Sequence, residues 1–160
     1  MLSAGTAFPN FSLSNQDGKI VSLADFAGQW LVVYFYPKDD TPGCTIQGKG
    51  LSAAKAEFDA ARIKVVGVSA DGVTSHKDFC TKCAFTIDLL ADTDATLMKA
   101  LGLGQSEWKG VHYWDRTSFV VDEEGIVRKV YAKVDPNGHE KVLLDDVRTL
   151  RGDTAEIVRR

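Results

Sequence analysis

The sequence contains no hydrophobic run long enough to cross a membrane as a helix. Its longest apolar run extends from Trp30 to Tyr36, the length of a β-strand, whereas a membrane-spanning helix needs about 20 residues. The first residues, Met1 to Thr6, contain neither the basic stretch nor the apolar stretch of a secretory signal peptide. We therefore expect a cytoplasmic protein that has no membrane partner.

Neither sign of charge dominates the sequence. The 160 residues contain 19 Lys and Arg against 22 Asp and Glu, and this net charge of -3 excludes the basic surface typical of nucleic-acid binding. The sequence also has no internal repeat, low-complexity tract or Gly/Ser/Pro-rich linker. Hydrophobic residues make up 44% and charged residues 26%, an ordinary globular composition, so we expect a single domain over residues 1–160.

Cysteine is scarce, because the chain contains only Cys44, Cys80 and Cys83. A chain of this length buries roughly 70% of its unfolded surface and needs no disulfide to fold. Three is also an odd number, which does not suit a framework of structural disulfides. In a reducing compartment such cysteines are more often reactive, metal-bound or buried than cross-linked.

Apolar periodicity predicts strands that alternate with helices. The predicted strands cover residues 11–14, 20–23, 30–36, 63–69, 86–90, 116–122 and 126–133. The predicted helices cover residues 44–61, 74–83 with Thr74 or Ser75 as N-cap, a segment from Asp92 or Asp94 to Leu101, and 139–150 with His139 at its start. This order indicates an α/β protein with a thioredoxin-like fold, in which an N-terminal β-hairpin precedes a mixed central sheet flanked by helices.

Cys44 follows a buried strand and a loop that is rich in Pro and Gly, at the predicted start of a helix. The N–H groups and positive partial charge of a helix N-terminus stabilise a thiolate. The carboxyl edge of a sheet is also where open α/β proteins usually place their functional sites. These features favour a reactive cysteine, although a small buried apolar residue is the alternative.

The residues before Cys44 resemble a known active-site signature. Pro37, Thr41 and Cys44 fit the pattern Pro-x-x-x-Thr-x-x-Cys of the peroxiredoxins. The longer string Tyr-Pro-Lys-Asp-Asp-Thr-Pro-Gly-Cys-Thr, residues 36–45, is similar to the bacterioferritin comigratory protein branch, also called peroxiredoxin Q. The resemblance extends over nearly the whole chain and implies a thiol-dependent peroxidase that reduces hydrogen peroxide or alkyl hydroperoxides.

The resemblance implies roles for five residues of this site. Cys44 is the expected peroxidatic nucleophile, which the peroxide oxidises to a sulfenic acid. Thr41 is expected to turn its hydroxyl towards the thiolate and the peroxide, and Pro37 to cover the thiolate without offering a donor. Arg116 matches the family's arginine, whose guanidinium lowers the pKa of the thiol and holds the peroxide. Gln47 is possible support, at a position where family members often carry a Glu that orients the arginine.

The resemblance also implies where the second cysteine acts. Many members of this branch have a resolving cysteine five residues after the first, but Lys49 occupies that position here. The other pattern in the branch places it in the next helix, which Cys80 fits. We therefore expect an intramolecular Cys44–Cys80 disulfide, as in an atypical two-cysteine peroxiredoxin, and reduction by a thioredoxin-class partner. The branch is often monomeric, and it implies no metal, haem or flavin cofactor.

Cys83 leaves alternatives open. Cys80 and Cys83 form a Cys-x-x-Cys pair, but this pair lies at the predicted end of a helix, where the dipole opposes a thiolate. His76, Cys80 and Cys83 share a helical face and could bind zinc, although no fourth ligand is near in sequence. The residues before Arg116 either shape the mouth of the site or pack in the core: Trp108, His112, Tyr113 and Trp114.

A peroxidase is therefore the best interpretation of the sequence, and two other functions are weighed against it. One is a non-enzymatic redox sensor or holdase on the same fold. The other is a thioredoxin-like disulfide reductase that uses Cys80 and Cys83. Only a peroxidase predicts sustained consumption of peroxide in the presence of thioredoxin.

Overall fold

A fully buried strand, β3 (Trp30–Phe35), lies near the centre of the fold in this computed structural model, which describes residues 1–152. The last eight residues of the predicted domain, 153–160, lie outside the described residues. The other strands are β1 (Ser12–Ser14), β2 (Ile20–Ser22), β4 (Ile63–Ser69), β5 (Asp88–Ala91), β6 (Gln105–Trp108), β7 (Val111–Trp114), β8 (Thr117–Val121) and β9 (Val127–Tyr131).

Seven of these strands form a single mixed sheet in the order β2-β1-β5-β4-β3-β8-β9. Strands β3, β4 and β5 run parallel, whereas β8 pairs with β3 in the antiparallel direction and β9 with β8. The N-terminal hairpin of β1 and β2 joins the sheet at β5. The predicted mixed sheet and N-terminal hairpin are confirmed.

Helices cover both faces of this sheet, as predicted. They are α1 (Pro42–Ala53), α2 (Lys55–Ala60), α3 (Val73–Cys83), α4 (Thr96–Leu101) and α5 (His139–Arg151). Val32 and Tyr34 of β3 face a hydrophobic cluster built from α1, α2, α3 and α5, which we call the cysteine-side cluster because it contains Cys44 and Cys80. Leu31, Val33 and Phe35 face a second cluster, formed with α4 and the N-terminal segment.

Three predicted helix boundaries are wrong. The helix predicted from Cys44 begins at Pro42, because proline suits a first helical position, and it is interrupted at Ala54. Helix α3 begins one residue before Thr74, with Gly72 as N-cap, and the Ser75 hydroxyl donates to Asp39 instead of capping the helix. The N-cap of α4 is Ala95, although the carboxylate of Asp92 does accept the N–H groups of Leu97 and Met98.

The hairpin of β6 and β7 was not predicted, because its residues were assigned to a loop. Lys109 and Gly110 form its turn with φ angles of 50° and 77°, the conformation that a two-residue hairpin turn requires. Trp108 is 64% exposed, so the hairpin lacks the apolar alternation by which a half-buried strand is recognised. No helix within residues 1–152 is both long and apolar enough to cross a membrane.

Candidate active site

Cys44 lies in the first turn of α1, where the end of β3 has led the chain to the edge of the sheet. Thr41 is the extended N-cap residue and Pro42 the first helical residue, which places Cys44 third in the helix. Within residues 1–152, the N–H groups of Gly43 and Cys44 have no hydrogen-bond partner. Cys44 is only 2% exposed, so its sulfur faces the positive end of a helix in a nearly dry environment.

The register of two antiparallel strands brings Arg116 to Cys44. Thr117 of β8 pairs with Phe35 of β3, so the residue before β8 lies beside the point where β3 ends. Both terminal nitrogens of Arg116, Nη1 and Nη2, donate to Cys44 Sγ at 3.6 Å. A Cβ atom on Gly43 would lie 2.8 Å from Nη2, so glycine makes room for this approach. The guanidinium therefore places a fixed positive charge and two donors at the sulfur.

Gln47, on the same helix as Cys44, also holds Arg116. It follows Cys44 by three residues on the same helical face, and its Oε1 accepts a 2.7 Å hydrogen bond from Arg116 Nη1. Gln47 is 1% exposed, and its Nε2 is the one buried side-chain nitrogen or oxygen without a partner in the described part of the chain. The structure thus brings together Cys44, Arg116 and Gln47.

Thr41 and Pro37 lie in the loop that leads into α1, and both are half-buried. The Thr41 hydroxyl donates to the backbone oxygen of Lys38 at 2.8 Å, so its proton is not directed at Cys44 in this structure. This bond stabilises the conformation of the loop that leads into α1. The hydroxyl oxygen keeps its acceptor capacity.

A buried network behind the loop was missed by the sequence analysis. The carboxylate of Asp39 accepts hydrogen bonds from Tyr36 at 2.6 Å, Ser75 at 2.8 Å and His76 Nδ1 at 2.7 Å. His76 Nε2 lies 3.0 Å from the backbone oxygen of Leu90, so both ring nitrogens have a hydrogen-bond partner. Burial raises the pKa of Tyr36, which keeps its hydroxyl protonated as a donor. This network ties the loop to the first turns of α3.

Cys80 lies in the second half of α3, on the face that enters the cysteine-side cluster. Burial raises the pKa of its thiol to about 12, and the nearby carboxylates of Asp39 and Asp88 act in the same direction. No disulfide joins it to Cys44, because all three cysteines are free. In this conformation Cys80 is therefore a protonated thiol.

The zinc alternative does not fit the geometry of α3. His76 already uses both of its ring nitrogens, and Cys83 is the half-buried last residue of the helix. In the described range, no group of three or more His, Cys, Asp or Glu residues could hold a metal ion.

The residues on the β6–β7 hairpin divide between surface and core. The side chains of Trp108 and His112 are about two-thirds exposed, at 64% and 65%, so they do not pack in the core. Trp114 is half-buried against the second cluster.

Comparisons with known proteins agree with this arrangement. The model of the AhpC/TSA family matches residues 4–130. Peroxiredoxin Bcp of Xanthomonas campestris is 41% identical over 135 residues, which cover 82% of this chain and 84% of the relative. Peroxiredoxin Bcp of Escherichia coli is 37% identical over 147 residues, covering 90% of this chain and 94% of the relative.

A solved structure is similar over the same extent. The bacterioferritin comigratory protein of Xanthomonas campestris, from a study of its alkyl peroxide reduction activity, superposes with a TM-score of 0.85 at 36% identity. The match covers 92% of this chain and 98% of that chain, so the two share the arrangement of sheet and helices throughout.

Proposed function

Since this chain belongs to the AhpC/TSA family and is a thiol-dependent peroxidase of the peroxiredoxin Q type, we propose that Cys44 is its peroxidatic cysteine. The observation that carries this assignment is the pair of 3.6 Å contacts from Arg116 to Cys44 Sγ. A thiolate is the reactive form of cysteine, and this guanidinium stabilises it. The alkyl peroxide reduction studied in the Xanthomonas campestris relative supports alkyl hydroperoxides as substrates beside hydrogen peroxide.

The first step transfers one oxygen from peroxide to sulfur. The Cys44 thiolate attacks one peroxide oxygen, so an S–O bond forms while the O–O bond breaks. The second oxygen leaves with a proton as water or as an alcohol. Cys44 is thereby oxidised to a sulfenic acid and the peroxide is reduced. The N–H groups of Arg116, Gly43 and Cys44 are the donors for the oxygen that gains charge.

Thr41 and Pro37 complete this site. By rotating about its side-chain bond, the Thr41 hydroxyl exchanges the Lys38 oxygen for a peroxide oxygen. Pro37 limits access to the sulfur without adding a competing donor.

The second step removes the sulfenic acid. The sulfur of Cys80 attacks the sulfur of Cys44, an S–S bond replaces the S–O bond, and the hydroxyl leaves as water with the proton of Cys80. A dithiol of the thioredoxin class then reduces the disulfide and is itself oxidised. This assigns the protein to the atypical two-cysteine class. This assignment is supported by the position of Cys80 in the cysteine-side cluster, which also contains Cys44.

The two other functions have less support. A disulfide reductase that uses Cys80 and Cys83 would need a stabilised thiolate, but burial and carboxylates raise the pKa of Cys80 to about 12. A sensor or holdase would share the reaction of Cys44 but not the sustained turnover. We further propose a cytoplasmic monomer formed by one domain over residues 1–160, and light scattering of the reduced and oxidised protein tests the monomer.

The deciding experiment measures peroxide consumption with thioredoxin and thioredoxin reductase present. We expect turnover that continues beyond one equivalent of peroxide per protein. Mass spectrometry of the oxidised chain should find Cys44 linked to Cys80. Consumption that stops after one equivalent would instead favour the sensor, and a Cys80–Cys83 disulfide would favour the reductase.

A further inference from the structure

Arg116 lacks an acidic partner. In the range that the structure describes, no carboxylate forms an ion pair with its guanidinium. Its side-chain partners are the sulfur of Cys44 and the amide oxygen of Gln47. An amide oxygen can accept a hydrogen bond and fix the orientation of the guanidinium, but it carries no net charge to neutralise it.

The other half of the same amide is unused. Gln47 Nε2 is buried and has no hydrogen-bond partner, and a buried donor in that condition is unfavourable unless a ligand completes it. The orientation of the amide is determined by Arg116, because exchanging oxygen and nitrogen would direct two donors at each other. Nε2 therefore lies beside the guanidinium that contacts Cys44, without an acceptor.

From these two observations we propose that Gln47 sets both the charge and the donor count of the site. Its Oε1 holds Arg116 without cancelling the positive charge, so the thiolate of Cys44 is the anion that faces the guanidinium. Its Nε2 donates to an oxygen that the reaction brings in, on the peroxide or on the sulfenic acid. The second role rests on the proposed reaction at Cys44, whereas the first does not.

The substitution Gln47→Glu tests the charge, because it keeps the size and the acceptor but adds a negative charge next to Arg116. The readout is the rate of alkylation of Cys44 by iodoacetamide against pH, in a Cys80→Ser, Cys83→Ser background where Cys44 is the remaining thiol. We expect the midpoint to rise by on the order of one pH unit. A midpoint within about 0.2 unit of that of the Gln47 protein would overturn this role, because a negative charge added next to Arg116 would then have no effect on the thiol.

The other titratable groups around the site stay constant in this comparison. They are Tyr34 on β3, Asp39 in the loop, Cys80 on α3 and His139 on α5. Only Cys80 differs from the wild type, and it is replaced by serine in every protein of the series. A shift between the Gln and Glu forms is therefore assigned to position 47.

The substitution Gln47→Met tests the amide as a whole, because it removes the donor Nε2 together with the acceptor Oε1, and it also serves if the Glu variant does not fold. Met has a similar length, no charge and no hydrogen-bond donor, and its sulfur is only a weak acceptor. The measured quantity is the rate constant with hydrogen peroxide, taken above the midpoint of each variant so that Cys44 is fully ionised. We expect a fall of roughly tenfold or more. A rate equal to that of the Gln47 protein would exclude a contribution of the amide to the reaction.

The two readouts also separate this inference from the proposed function. Alkylation needs no peroxide, so a shifted midpoint in the Glu variant supports the charge role even if the protein with Gln47 reacts slowly with peroxide. That slow reaction would instead count against the assignment of Cys44 as the peroxidatic cysteine.

Discussion

Cys44 and Cys80 belong to the same hydrophobic cluster, yet the charges around them are opposite in sign. Cys44 lies in the first turn of a helix with a guanidinium at 3.6 Å, whereas Cys80 lies late in a helix with carboxylates nearby. Burial is common to both cysteines, so burial alone does not decide reactivity. The difference teaches that the reduced fold prepares one sulfur as a nucleophile and keeps the other as an inert thiol.

A second contrast lies within α3 itself. At its beginning, Ser75 and His76 are held by the buried carboxylate of Asp39. At its end, Lys82 contacts Asp40 at 2.9 Å, but both side chains are more than half exposed. Breaking a buried pair costs several times more than breaking an exposed one. Helix α3 should therefore open from the end that carries Cys80.

Removing the sulfur of Cys44 gives the largest expected effect. Cys44→Ser should abolish peroxide turnover, because a serine hydroxyl is not ionised near neutral pH. Cys83→Ser is the matched control and should retain turnover within about threefold, since it lies at the far end of α3. Appreciable turnover by the Cys44→Ser variant in a thioredoxin-coupled assay would mean that Cys44 is not the peroxidatic cysteine.

Removing the positive charge beside Cys44 should leave its thiol more often protonated, as the thiol of Cys80 is. We expect Arg116→Ala to lower the rate constant with hydrogen peroxide by about 100- to 1000-fold and to raise the pH midpoint of alkylation. Arg128→Ala is the control, because Arg128 is ion-paired with Asp122 on the partly exposed face of β9. An unchanged midpoint in the Arg116→Ala variant, with the fold intact by circular dichroism, would mean that the guanidinium is not what stabilises the thiolate.

Formation of the disulfide should change the surroundings of Cys80 more than those of Cys44. If Cys80 leaves its buried position to reach Cys44, amide exchange over residues 77–83 should accelerate at least about tenfold in the disulfide form. Residues 73–76 should keep their protection through Asp39. The comparison uses Cys83→Ser, so that one disulfide is possible, and α5 is the internal reference. Equal protection of α3 in both redox forms would contradict the opening of the helix.

The buried histidine at the start of α5, His139, should make the folding stability of the protein sensitive to acid. Burial lowers the pKa of His139 to about 4, and its Nε2 lies 2.9 Å from the Ser118 hydroxyl. The unfolded ring takes up a proton below pH 6.5 while the folded ring stays neutral, so stability falls between pH 6.5 and 4. The loss amounts to roughly 3 kcal/mol in the free energy of unfolding.

Urea denaturation at several pH values measures this loss. His139→Gln should flatten the dependence below pH 6.5, whereas His112→Gln should leave it unchanged because that ring is exposed. An equally steep dependence in the His139→Gln variant would assign the acid sensitivity to other groups.

The smallest effect is expected at the exposed end of α3. Lys82→Ala removes the contact with Asp40 and should speed formation of the Cys44–Cys80 disulfide, but by less than about fivefold. Lys55→Ala, which breaks an exposed pair with Asp59 on α2, is the control. Acid quenching followed by thiol labelling gives the rate. A slower reaction in the Lys82→Ala variant would show that this contact guides Cys80 instead of restraining it.

The strands were predicted well from the sequence, because a run of apolar residues indicates a buried strand. Residues 63–69 were predicted as a strand and form β4 with the same bounds. The hairpin of β6 and β7 was missed because both of its faces carry exposed residues. The helix start at Pro42 and the N-cap Gly72 depended on local backbone geometry that composition alone does not determine.

Within the site, residues that belong to a known family pattern were predicted, whereas partners without such a pattern were missed. The resemblance placed Arg116 with Cys44, and the structure brings the two together. The tie between Asp39 and His76 joins residues 37 positions apart and depends on how the loop packs against α3. The raised pKa of Cys80 likewise depends first on burial and then on carboxylates contributed by other elements. Neither feature has a sequence pattern of its own.

Phe85, which follows α3, rests on α1 where Gly48 has no side chain, and a Cβ there would collide with the ring. With His76 held at one side and Phe85 at the other, the segment that carries Cys80 would become, once α3 opens, a loop with two fixed ends and not a free arm. The chance that such a loop brings its cysteine to a given point depends on its contour length. Inserting or deleting residues between Lys77 and Ala84 should therefore tune the rate of disulfide formation while leaving the chemistry at Cys44 untouched.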